Sequence, residues 1–140
     1  MTQWAVVDTG PLVALLDKRE QYHVWATEQL EQLAPPMLVC EPVLVEATFL
    51  LAQLPKAQDA LLGLIAEGTL QIAFQLEEHV KEILSLRQKY RDLPMSLADA
   101  CLVRMAELYD NYCIFTLDSD FKVYRKHGRT SLKLICPEQK

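Results

Sequence analysis

The sequence predicts an α/β domain with a central, mostly parallel sheet of about four to five strands flanked by helices. Two observations predict it. Short apolar runs of strand length alternate along the chain with longer amphipathic stretches, an order that implies parallel pairing through right-handed crossovers. The 140 residues, 51% hydrophobic and 24% charged, also suffice for one core and have the balance of a soluble globular chain. Residues 1–140 are therefore expected to form a single domain without linker, repeat or low-complexity tract.

WAVVD, residues 4 to 8, is a short apolar run ending in an acid, and TGPLVALLD follows with Thr9 as the expected N-cap, giving strand, tight turn and helix. HVWATEQLEQL, residues 23 to 33, puts Val24, Leu30 and Leu33 near one face of an amphipathic helix that Pro35 and Pro36 stop. MLVC is the second strand. Pro42 suits the first turn of the helix PVLVEATFLLAQL, which Pro55 closes. KAQDALLGLIAEG is the next helix, ended by Gly68, and LQIAF is the third strand. EEHVKEILSLRQKYRD predicts a polar-faced helix and SLADACLVRMAELYD a more apolar one; YCIFTLD and LKLIC complete the strands.

The N-terminus has no basic region and meets Asp8 early, so it does not read as a secretory signal, and no apolar helical stretch is long enough to span a bilayer. A cytoplasmic protein is expected. Cys40, Cys101, Cys113 and Cys136 lack metal-knuckle or redox spacing and read as reduced, mostly buried thiols. The net charge of −5 argues against a general basic coat for nucleic acid. Even so, five of the 14 Lys and Arg residues fall in KVYRKHGRTSLK, residues 122 to 133. That segment either solubilises the surface or contacts phosphates through Lys122, Arg125, Lys126 and Arg129. Tyr90, Arg91 and Tyr124 are further candidate contacts, although packing explains the tyrosines at least as well.

In open α/β sheets ligands sit beyond the carboxyl ends of the strands, where Asp8 and Asp118 both lie. Two more acids have no local cation. Glu46 has Pro42, Val43, Phe49 and Leu50 at helical spacings, and Asp99 has Met95, Ser96, Leu102 and Val103. Each has an ordinary alternative: Asp8 as a helix cap, Ser96 and Asp99 as a capping box, Glu46 on an exposed stripe, and Asp118 in a solvated loop. Should the four converge, a cation must neutralise them. Hard oxygen donors of this kind suit Mg²⁺ or Mn²⁺ and metal-assisted phosphodiester hydrolysis.

At VVDTGPLVALLD, EPVLVEATFLL, LPMSLADACLVRMAE and TLDSDF the sequence resembles the PIN-domain family of metal-dependent ribonucleases, particularly the single-domain toxins of VapBC toxin–antitoxin modules. Each motif is weak alone; four in order and at sensible spacing are specific. The resemblance implies a parallel sheet, a Mg²⁺- or Mn²⁺-filled acidic pocket and endonucleolytic cleavage of RNA. It also implies that Asp8, Asp99 and Asp118 bind metal directly or through water, and that Glu46 binds or positions the metal or its water. Thr116 and Thr9 would support the carboxylates from behind. Asp120 either binds a second ion or solvates its loop. A homodimer and an antitoxin partner, its tail reaching the carboxylates through an Arg, are implied likewise. A PIN-fold binding module that cuts nothing and a housekeeping RNA-processing nuclease are the alternatives.

Overall fold

A computed structural model describes residues 3–138. Five parallel strands form the central sheet: β1 (Trp4–Val7), β2 (Met37–Val39), β3 (Leu70–Ile72), β4 (Tyr112–Phe115) and β7 (Leu134–Ile135), in the order β3-β2-β1-β4-β7. β1 is central because Ala5, Val6 and Val7 are fully buried, as a strand covered on both faces requires. It pairs with β4 from Trp4↔Tyr112 to Val7↔Phe115, which places the chain positions just after the two strands side by side. Ile114↔Leu134 and Phe115↔Ile135 add β7 at the edge.

Six helices flank the sheet: α1 (Thr9–Leu16), α2 (His23–Leu30), α3 (Glu41–Leu50), α4 (Pro55–Ala66), α5 (Val80–Lys89) and α6 (Leu97–Leu108). Pro42 opens α3 as expected, and Pro55 opens α4 as well as following α3. Pro35 and Pro36 do not stop α2, which ends at Leu30 ahead of them, and Val24 faces outward from it rather than joining Leu30 and Leu33 on the apolar face. Gly68, at φ 85°, follows α4 in the left-handed region that glycine tolerates. The most buried helix is α6, with Ala98, Ala100, Cys101, Leu102, Val103 and Met105 in the core.

Thr9 is not the cap of α1. The cap is Asp8, whose Oδ1 accepts the Thr9 amide at 2.7 Å, because the strand ends one residue earlier than a Thr9 cap requires. One further element departs from expectation. Residues 122 to 133 contain a hairpin of β5 (Arg125–Lys126) and β6 (Thr130–Ser131), turned at His127 (φ 52°) and Gly128 (φ 76°). Lys126 pairs with Thr130, so the loop holds three residues, and the Arg129 amide donates to the Lys126 carbonyl at 3.2 Å around the two left-handed ones, whose twist suits a hairpin. The turn is pinned from both sides: the His127 amide donates to Glu107 Oε2 at 2.7 Å, and Lys89 Nζ donates to the Gly128 carbonyl at 3.0 Å. The four cysteines are free, Cys40 and Cys101 buried and Cys113 and Cys136 half-buried. Among the described residues no helix is long and apolar enough to cross a membrane.

Candidate active site

The strand register and the start of α6 bring Asp8, Glu46, Asp99 and Asp118 to one cleft of about 450 Å³, lined also by Thr9, Gly10, Leu50, Ser96 and Leu117. No Lys, Arg or His lines it. Gly10 lets α1 sit close to the loop after β4: a Cβ there would stand 3.1 Å from Leu117 Cγ and Cδ1, tight enough that Leu117 would have to give by a few tenths of an ångström.

Hydrogen bonds fix each acid differently. Asp8, 7% exposed, is held at both oxygens, Oδ1 by the Thr9 amide and Oδ2 by the Thr116 hydroxyl at 2.7 Å. Thr116 is fully buried, and its hydroxyl also accepts the Asp118 amide at 2.9 Å. The Thr9 hydroxyl donates to Glu46 Oε1 at 2.9 Å, joining the α1 start to α3. Asp99 forms a true capping box, its Oδ2 accepting the Ser96 amide at 3.0 Å while Ser96 Oγ accepts the Asp99 amide at 3.0 Å. The capping alternatives for Asp8 and Asp99 are thus both realised, together with their convergence. Asp118 accepts the Asp120 amide at Oδ1, 2.9 Å. Asp120 itself does not line the cleft.

The electrostatics follow from burial and crowding. Burial pushes Asp8 from 3.8 up to about 6, against its two hydrogen bonds and helped by the Asp99 and Asp118 charges. Asp99 is raised by burial first, with Asp118 and Glu46 adding to it. Among the described residues no three His, Cys, Asp or Glu side chains stand close enough to share one ion in this arrangement. The donor set nonetheless fits a hydrated Mg²⁺ or Mn²⁺. Such an ion takes one or two carboxylates and keeps several waters, and a cleft of uncompensated hard oxygens offers that.

The basic residues end elsewhere. Arg125 Nη1 donates to the carbonyls of Lys122, Val123 and Tyr124 at 2.8, 3.2 and 3.1 Å, so this guanidinium closes its own turn. Lys126 lies 3.9 Å from Asp110. Lys122 and Arg129 are exposed outside the cleft lining. Tyr124 is fully buried and therefore packs rather than contacts a ligand; its hydroxyl is without a protein partner among the described residues. Sequence reasoning missed Leu50 and Leu117 as cleft walls, since an apolar side chain carries no signal of facing a polar site.

The fold has counterparts among known proteins. Ribonuclease VapC26 of Mycobacterium tuberculosis is 29% identical over 115 residues, covering 81% of this chain and 85% of that protein. The crystal structure of Mycobacterium tuberculosis VapC20, a Sarcin-Ricin loop cleaving toxin, superposes with a TM-score of 0.76 at 16% identity, covering 85% of this chain and 93% of that one. The PIN domain model matches residues 5–127, a span that begins in β1 and ends in the turn of the β5–β6 hairpin, and the chain belongs to the PIN-domain family.

Proposed function

We propose that this protein is a Mg²⁺- or Mn²⁺-dependent endoribonuclease that hydrolyses RNA phosphodiester bonds in the Asp8, Glu46, Asp99 and Asp118 cleft, and that it is the toxin of a toxin–antitoxin pair. One observation carries the reading: four carboxylates from four separate segments converge with no cation lining their cleft. The likeness to Ribonuclease VapC26 supports RNA as substrate. When bound, the ion would lower the pKa of a water and stabilise the leaving oxygen. Asp8, Asp99 and Asp118 would hold it directly or through water, and Glu46 would position it or its water. Thr116 fixes the Asp8 carboxylate and Thr9 fixes Glu46, so both acids face the cleft in set orientations. Asp120, which lies off the cleft lining, would solvate its loop rather than hold a second ion.

Residues 1–140 act as one nuclease domain in this reading. The likeness to VapC20 and VapC26 supports a cognate antitoxin, whose tail would place an Arg against the carboxylates. Exposed Val45, Phe49 and Leu50 on α3 support pairing of two copies; a strict monomer in sedimentation at micromolar concentration would refute the pairing. Four unpaired cysteines favour a reducing, cytoplasmic setting.

The test compares wild type and Asp8→Asn on structured RNA in Mg²⁺ or Mn²⁺, with a chelated control. Cleavage by the wild type alone, abolished by chelation, is expected. Equal behaviour of the two folded proteins would sink the assignment.

A further inference from the structure

A second cavity, of about 340 Å³, opens where α5 runs into α6, and Arg87, Gln88, Tyr90, Arg91, Leu93 and Met95 line it. Arg87 and Arg91 are exposed, and among the described residues neither enters an ion pair or a side-chain hydrogen bond. By contrast Arg19, Arg104 and Arg125 are engaged with Asp17, Glu107 and backbone carbonyls. Offsetting the α5 dipole explains Arg87 and Lys89 in the last turn, but not Arg91, which lies beyond the helix end.

The cavity adjoins the acidic cleft by two routes. Met95 lines the cavity, and the next residue, Ser96, lines the cleft and bonds Asp99. On the other side the Tyr90 ring packs edge-on against Tyr124 at 5.0 Å. Tyr124 in turn packs edge-on against Phe121 at 5.3 Å, in the turn that Asp118 caps, so the aromatic stack runs from the cavity to the acidic loop.

On the ribonuclease reading above, we infer that the Arg87–Arg91 cavity is an RNA subsite, its two guanidiniums gripping backbone phosphates that flank the bond held at the acids. A polyanion approaching a chain of net charge −5 needs local positive charge, and the KVYRKHGRTSLK segment supplies less than its composition promises, since Arg125 and Lys126 are committed elsewhere. Free guanidiniums bind phosphate bidentately, and an apolar and aromatic floor suits the sugars and bases of a single strand.

The experiment measures binding of a fluorescein-labelled single-stranded RNA in EDTA, so that cleavage plays no part, across a salt series. Wild type is compared with Arg87→Ala/Arg91→Ala and with Lys18→Ala/Arg19→Ala, which removes the same charge just beyond the far end of α1. The arginine pair is expected to weaken binding by about tenfold and to flatten the slope of log affinity against log salt by about 1.4, two contacts at roughly 0.7 each. The control pair should leave the slope unchanged. Equal slopes for wild type and the arginine variant would overturn the subsite while leaving metal-dependent cleavage standing. Selective loss of affinity for an acidic peptide, with RNA binding unmoved, would overturn it in favour of a protein contact. Wild type that neither binds nor cuts RNA would overturn this inference and the ribonuclease reading together.

Discussion

Thr116 donates its hydroxyl to Asp8 Oδ2 at 2.7 Å across 108 residues of sequence, and the same oxygen accepts the Asp118 amide. One buried hydroxyl thus sets the orientation of one acid and the backbone of another. Thr116→Val keeps the shape but leaves a buried carboxylate and an amide short of a partner, at a cost of about 2 kcal/mol. Cleavage should fall at least roughly tenfold, as with other supports of metal-binding carboxylates. Thr116→Ser should restore both. Urea unfolding and initial cleavage rates check the pair, and a fully active Val variant would show that the bond is incidental.

The Asp8 carboxyl makes metal-free stability depend on pH. Its folded value of about 6 lies above the unfolded value, so the folded state holds a proton that the unfolded chain has already lost. The favourable contribution is complete below about pH 3.8 and lost as pH rises through about 6, a change of roughly 3 kcal/mol for a shift of this size. Asp8→Asn should therefore be the more stable protein at pH 7.5 in chelator, and the gap should close on acidification. A gap that ignores pH in urea titrations would assign the strain to another group.

Metal should reverse that penalty. At a hundredfold excess over its dissociation constant, Mn²⁺ is expected to stabilise wild type by about 2.7 kcal/mol. Asp8→Asn/Asp99→Asn should show no such gain in a thermal melt. An equal gain in both proteins would mean that the ion binds elsewhere.

Gly10 and Leu117 should be energetically coupled. Gly10→Ala gains helix propensity of about 1 kcal/mol but crowds Leu117 at 3.1 Å, where overpacking costs about 1 to 3 kcal/mol. The single variant should lose stability slightly and cut more slowly, because Leu117 can yield only by shifting in the cleft wall. Gly10→Ala/Leu117→Ala should then be more stable than the two single effects sum to, which a double-mutant cycle reads directly.

The hairpin turn carries a relievable strain. His127 is exposed and sits at φ 52°, a conformation that asparagine accepts more readily than histidine. His127→Asn should stabilise the protein by about 0.5 kcal/mol, seen as slower amide exchange at the turn. Faster exchange there would mean that the imidazole itself supports the hairpin.

What the sequence revealed and concealed divides along physical lines. Strand ends carrying Asp8 and Asp118 were readable because a buried parallel strand is a continuous apolar run, and an acid breaking it is conspicuous. Glu46 and Asp99 were readable because nothing at helical spacing neutralises them. The Thr9–Glu46 bond was invisible, since it joins residues 37 apart through the packing of α1 on α3. The segment 122 to 133 misled in a different way. Its charge density advertises a solvated face, yet Tyr124 is buried within it, the β5–β6 strands are two residues each, and Arg125 serves its own backbone. Composition registers how many cations are present and not which are already occupied.

The pairing of β1 with β4 also fixes when the four acids can come together during synthesis. A ribosome that has delivered the first hundred residues has made Asp8, Glu46 and Asp99, but β1 still lacks β4, and Thr116 and Asp118 are untranslated. Because β7 follows later still and flanks β4, the sheet that seats the acids closes only once residues 134 and 135 have joined it. A chain stopped before residue 112 therefore carries Asp8, Glu46 and Asp99 without the strand that seats Thr116 and Asp118 beside them.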